Sequence, residues 1–176
     1  PSGLRELGLL VLGVGSYLST PRALHTQNDF SLGPIREVAV LFAGLFVCLV
    51  PVEVNLAAAA PGLPLREPWQ LFWSAGALSA VLDNAPTYAA FMALARGLSV
   101  AEPELVAGVA PLLLTAVSVG SVVMGATTYI GNGPNLMVRA VAQRSGYTMP
   151  SFARYAVFAL LVLLPLHLGT TLALLE

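Results

Sequence analysis

The chain has 176 residues, one domain's length by the usual prior, but 57% are hydrophobic, only 10% are charged and the mean hydropathy is +0.81. Soluble domains carry roughly 25% charged residues. Eight basic and nine acidic side chains leave a formal net charge of −1, which excludes the basic face a nucleic-acid binder needs to displace counterions.

Every basic residue is Arg and none lies in a run, so no polybasic stretch would hold the chain to an anionic membrane surface. The apolar sequence is therefore expected inside a lipid bilayer. The single cysteine, Cys48, sits in an apolar run; it allows no internal disulfide and no cysteine-based metal site and reads as packing. The chain opens at Pro1 without the basic n-region and small-residue cleavage site of a secretory signal, and reads as a fragment, in which a site built from two halves of a longer protein is half visible.

A bilayer crossing needs about 20 mostly apolar residues at 1.5 Å rise each. Residues 4–20 form the first candidate, ending before Pro21, which cannot continue a helix. The polar, turn-rich segment 22–34 follows. Residues 37–60 form a second span, with Pro51 and an interfacial Glu53 near its end, and residues 152–175 form the last, containing His167 and a kink-forming Pro165. His167 is expected as a hydrogen-bonded helix contact.

Two further apolar segments are interrupted by Asn, Pro and Gly. Residues 70–96 break at Asp83, Asn84, Ala85 and Pro86. The arms, residues 70–83 and 87–96, are about 20 and about 15 Å long, reaching roughly to mid-bilayer, as a re-entrant helical hairpin does. Residues 105–142 break at Gly131, Asn132, Gly133 and Pro134, and read as a discontinuous transmembrane helix unwound over residues 127–135. The arginines do not orient the chain: whether residues 70–96 form a hairpin or a full span, five fall on one side and three on the other.

Lipid offers no hydrogen bonds, so broken backbone at membrane depth persists only where protein or a water-filled cavity satisfies it. Unwinding frees carbonyl oxygens for a cation, and the following half-helix presents its amides and positive dipole end. The two breaks are alike, each combining Asn, a small residue and Pro. They define a candidate ion or substrate site of Asp83, Asn84, Pro86, Thr87, Thr127, Thr128, Gly131, Asn132, Pro134 and Asn135. Asp83 is the sharpest element, because an ionisable group inside a membrane segment marks function by default. It can ligate sodium together with Asn84, Thr87 and Asn132, or carry a proton in its place; it can also N-cap the arm that follows. Ser74, Ser79, Ser118, Ser121, Gly76, Gly120 and Gly125 suit close helix packing. A hydrolase would need a nucleophile and base facing each other, and only His25, in a loop, and His167 are on offer, so no enzyme activity is expected.

The stretches GALSAVLDNAPTY and GATTYIGNGPNLMVRAVAQ resemble the C-terminal half of the ion transporter superfamily, and more narrowly its sodium:proton antiporter and citrate transporter family, relatives of the arsenite efflux permeases. EVAVLFAGLFV and MPSFARY extend the resemblance over nearly the whole chain. It implies an all-α integral membrane fold of two inverted repeats, this chain being the second, with about three plain transmembrane helices, one re-entrant hairpin and one discontinuous helix whose tips meet at the bilayer midplane. It further implies a multi-pass protein of the bacterial inner membrane, a homodimer, and a first repeat completing the site. Dicarboxylate carriers of this kind have a Ser-Asn-Thr hairpin tip, whereas here Asp83 precedes Asn84, and Ala85 and Pro86 precede Thr87. A fixed charge at that point repels a carboxylate unless protonated or screened. Secondary active sodium/proton antiport is thus the first expectation, with sodium- or proton-coupled citrate or dicarboxylate uptake, or arsenite-type anion efflux, as the alternatives, and no organic cofactor.

Overall fold

The computed structural model describes residues 2–28 and 30–174. Eight α-helices follow in chain order: α1 Ser2–Ser19, α2 Arg22–Gln27, α3 Gly33–Ala59, α4 Pro68–Ser79, α5 Asn84–Leu98, α6 Pro111–Val123, α7 Gly133–Arg144 and α8 Phe152–Leu174. Short 3₁₀ turns extend α3 at Ala60–Gly62 and α6 at Met124–Thr127. No strand forms among the described residues; one isolated bridge pairs Val106 with Val109.

Two helical stretches, Ile35–Gly62 and Phe152–Ala173, are long and apolar enough to cross a bilayer, and very few of their side chains are buried against protein. An apolar surface of that extent requires a non-aqueous solvent. The first helix differs from expectation: α1 carries Arg5 and Glu6 in its opening turns, and among the described residues it does not join those two spans. Pro51 and Pro165 lie within unbroken α3 and α8. The last residue of the expected final span, Leu175, lies outside the described residues.

The chain divides into two compact units, residues 1–44 and 45–176. In the first, the His25 ring stacks on those of Tyr17 and Phe30 at centroid distances of 5.0 Å each, while Tyr17 and Phe30 meet tilted at 5.9 Å. His25 lies in α2, not in a loop, and Thr26 in the same helix bonds back to the Arg22 carbonyl at 3.1 Å.

The second unit is organised by α4, α5 and α6, whose core comprises Leu71, Phe72, Met92, Ala95, Val109, Leu113, Ala116, Val117 and Met124. Helices α4 and α6 run parallel, residue i meeting residue i+48: Gly120 packs on the Phe72 backbone, Gly76 on Met124, and Thr128 on Ala80. Glycine is required at position 120, since a Cβ there would lie 2.5 Å from the Phe72 carbonyl oxygen. Helix α5 runs the other way, with Ser99 Oγ accepting from Ala110 N at 2.9 Å at one end and Asn84 lying against Gly125 at the other.

The second broken segment begins later than the sequence implied. Residues 105–110 form a tight turn with Ala107 and Gly108 at positive φ, and α6 starts at Pro111, which needs no amide partner at a first helical position. Cys48 is exposed on α3 rather than packed inside, because almost nothing covers that span. His167 is buried, but its ring nitrogen Nε2 lacks a hydrogen-bond partner; the ring instead meets Phe72 and Trp73 edge-on at 6.2 and 6.5 Å, while its backbone carbonyl accepts from Thr171.

Candidate functional site

Because α4 and α6 are parallel, both end at the same level, and α5 and α7 both start there. The first break spans residues 80–83 and the second residues 128–132. Two helix C-termini with unpaired carbonyls and two helix N-termini with unpaired amides thus belong to one junction. Opposite dipole ends at a single point can hold both a cation and an anionic group.

Asn84 is the hub. Its carboxamide faces acceptors on one side, which assigns the amide nitrogen to that side: its two hydrogens are shared among Gly131 O at 3.0 Å, Ser121 O at 2.9 Å and Ser79 Oγ at 2.7 Å. The Ser79 hydroxyl then donates to Ser121 O at 2.5 Å. The first residue of α5 is thereby bonded to the C-terminal turns of α4 and α6 and to the second break. The carboxamide oxygen, on the other prong, remains available as an acceptor.

Further bonds lock the breaks together. Thr128 Oγ1 donates to Ala80 O at 2.5 Å and accepts from Gly131 N at 2.9 Å, so one hydroxyl satisfies a group from each break. Asn135, in the first turn of α7, donates to Gly125 O at 3.1 Å and Thr128 O at 3.0 Å. Gly125 and Gly131 are needed for the approach: a Cβ on Gly131 would lie 2.7–3.0 Å from the carbonyl oxygens of Gly125, Ser79 and Ala80, and one on Gly125 would overlap the Asn84 carboxamide.

Asp83 is half-buried and N-caps α5, with Oδ1 accepting from Asn84 N at 2.7 Å. Thr87, buried one turn on, donates to the Asp83 carbonyl at 3.0 Å. Pro86, also buried, occupies the third helical position, where it requires no intrahelical amide bond. The structure thus brings Asn84, Thr128, Gly131 and Asn135 into one network, with Asp83, Pro86 and Thr87 at its α5 end. Thr127 is buried at the end of the 3₁₀ turn. Asn132 precedes α7 without a side-chain capping bond, and Pro134 is exposed at the second position of that helix.

Sequence reading assigned Ser79, Ser121 and Gly125 to packing, yet all three take part in the junction. Their signal was present as small residues in both segments just before each break, but which pair faces which depends on how α4 and α6 pack. A second omission is the support behind the second break. Tyr129 stacks on Tyr155 at 4.1 Å, and the Arg139 guanidinium lies 4.9 Å from the Tyr129 ring centre and 4.7 Å from that of Phe152. This pair of cation–π contacts ties α7 to the start of α8. Tyr155 also donates to the Ala126 carbonyl at 3.0 Å.

Neither the comparison with curated proteins nor that with solved structures gives a match. A family model described as "Putative citrate transport" matches residues 2–175, covering both breaks and both long apolar helices. The chain belongs to that family, a family of membrane transporters.

Proposed function

We propose that this protein is a secondary active transporter of the bacterial inner membrane that exchanges sodium for protons at the junction of the two breaks. The observation that supports this reading is the network from Asn84 to Ser121 and Gly131, which gathers two broken backbones and one carboxylate into a single small space. Helices α4 and α5, of 12 and 15 residues, are about 18 and 22 Å long; each falls short of a roughly 30 Å hydrocarbon layer, so the pair is read as a re-entrant hairpin. Helices α6 and α7 form the discontinuous span.

In this mechanism Asp83 takes sodium or a proton in turn. The Asn84 carboxamide oxygen, the Thr87 hydroxyl and nearby carbonyl oxygens complete the sodium shell, a hard-oxygen set suited to a hard cation. Occupancy by one ion excludes the other, and that competition couples the two fluxes. Asn132 joins the shell when α7 moves toward the first break, and an inverted first repeat closes the site from the far side.

The experiment measures sodium-driven proton movement in vesicles carrying the full-length protein and its Asp83→Asn variant. Exchange is expected to be lost in the variant; exchange equal to the parent's overturns the assignment. The family description favours citrate as a second reading. There, the N-termini of α5 and α7 face the carboxylates and a bound sodium screens Asp83. Accumulation of labelled citrate that follows a sodium gradient would select it over antiport.

A further inference from the structure

The end of the hairpin opposite the breaks carries a separate cavity of about 510 Å³, lined by Arg66, Pro68, Leu98, Glu102, Ala110, Pro111, Leu112 and Leu113. Its apolar floor comes from the start of α4, the end of α5 and the start of α6. At its rim are one cation and one anion, Arg66 and Glu102, both exposed. They are not paired with each other: the Arg66 guanidinium donates to the Pro61 carbonyl, and no ion pair involves Glu102 among the described residues. Two opposite charges sharing one cavity without meeting leave room for a ligand that carries both.

The level of this cavity identifies the ligand's source. Helix α4 is 12 residues long, about 18 Å, so with the breaks near mid-bilayer its first residues lie at the lipid headgroups. Charge distribution agrees: Arg66, Glu67, Arg96, Glu102 and Glu104 all lie at this end of α4, α5 and α6, whereas Asp83 alone lies at the other. Trp69, 47% exposed on the first turn of α4, is the residue type that collects at the membrane–water boundary.

We infer that this cavity binds a zwitterionic ethanolamine phospholipid, its phosphate on Arg66, its ammonium on Glu102 and the upper part of an acyl chain on Leu98, Leu112 and Leu113. A guanidinium matches phosphate oxygens and a carboxylate accepts from a primary ammonium. The inference rests on the proposed re-entrant hairpin, with the breaks near mid-bilayer, and is independent of which ion the junction carries. Lipid held there would brace the outer ends of the three helices whose inner ends form the site.

The test incubates the full-length protein in detergent with dioleoyl phosphatidylethanolamine or dioleoyl phosphatidylglycerol, with and without soluble phosphoethanolamine, and reads retained lipid by native mass spectrometry. The parent is expected to retain the ethanolamine lipid about threefold over the glycerol lipid, the scale of one partly exposed ion pair. Glu102→Gln should bring the two to parity, Arg66→Gln should lower both, and Arg96→Gln, a change at the same end outside the cavity lining, should match the parent. Equal retention by the parent, a preference that survives Glu102→Gln, or displacement by soluble phosphoethanolamine would each overturn the inference. Retention is read without transport, so a failure of the antiport reading leaves this result standing.

Discussion

The Asn84 amide nitrogen lies 3.0 Å from the Gly131 carbonyl oxygen, joining two interruptions that are 47 residues apart in sequence. One side chain thus holds the first turn of α5 against the unwound backbone between α6 and α7. Asn84→Ala should leave the Gly131 carbonyl without its donor, since Ser121 O keeps the Ser79 hydroxyl, at a cost of about 1–3 kcal/mol, and abolish transport. A thermal shift of the purified protein and a vesicle flux assay measure the two effects separately.

The glycines of the junction make a sharper contrast. Gly125→Ala drives a methyl group into the Asn84 carboxamide, whereas Gly133→Ala meets nothing within 4 Å. The first should lower flux by an order of magnitude or more, the scale of a site displaced by about 1 Å; the second should leave flux near the parent's. Equal flux in both variants would show that the approach of the two breaks does not matter for transport.

Asp83 has two separable roles, a cap and a charge. Asn caps a helix as well as Asp does, whereas Ala costs about 1 kcal/mol. Asp83→Asn is therefore expected to melt with the parent but fail in exchange, and Asp83→Ala to melt lower and fail as well. A stable, active Asp83→Asn variant would reduce the residue to its capping bond with Asn84 N.

Gly120 tests the parallel register of α4 and α6. Gly120→Ala puts a Cβ 2.5 Å from the Phe72 carbonyl oxygen, a backbone atom that cannot swing away, while Gly44→Ala meets open space. Overpacking of this kind costs about 1–3 kcal/mol, so thermal denaturation should separate the two variants clearly.

Arg139 lies over two aromatic rings, its Cζ 4.9 Å from the Tyr129 ring centre and 4.7 Å from that of Phe152. Arg139→Lys keeps the charge but loses the broad, weakly hydrated guanidinium that suits an aromatic site, and Arg139→Gln loses both. Flux should fall in the order Arg, Lys, Gln, with sodium dependence unchanged, because the residue supports the second break from behind and does not touch its carbonyls. A changed sodium dependence would place Arg139 in the site itself.

Much of the local structure was legible from residue types. The interruption at residues 83–86 was visible because Asp, Asn and Pro together stop one helix and start another, and α5 does begin at Asn84 with Asp83 as its cap. The second interruption was visible in the same way, and α7 starts at Gly133 with Pro134 behind it. The long apolar spans followed from composition. The start of α6 was misread because residues 105–110 are apolar enough to pass for helix, while the turn there depends on positive φ at Ala107 and Gly108 and on the Ser99 hydroxyl accepting from Ala110 N.

Hydropathy and helix-breaking residues act along the chain, within a turn or two, so the sequence alone determined that this is an apolar helical protein interrupted twice by polar breaks. Which atoms meet across those breaks is a property of packing between distant segments. Only the tertiary structure decided that Gly76 and Gly120 let α4 and α6 lie parallel, and that Ser79 then meets Ser121 and Asn84 meets Gly131. The physical reason is that a register is chosen by the sum of many side-chain contacts, and no residue carries that sum by itself.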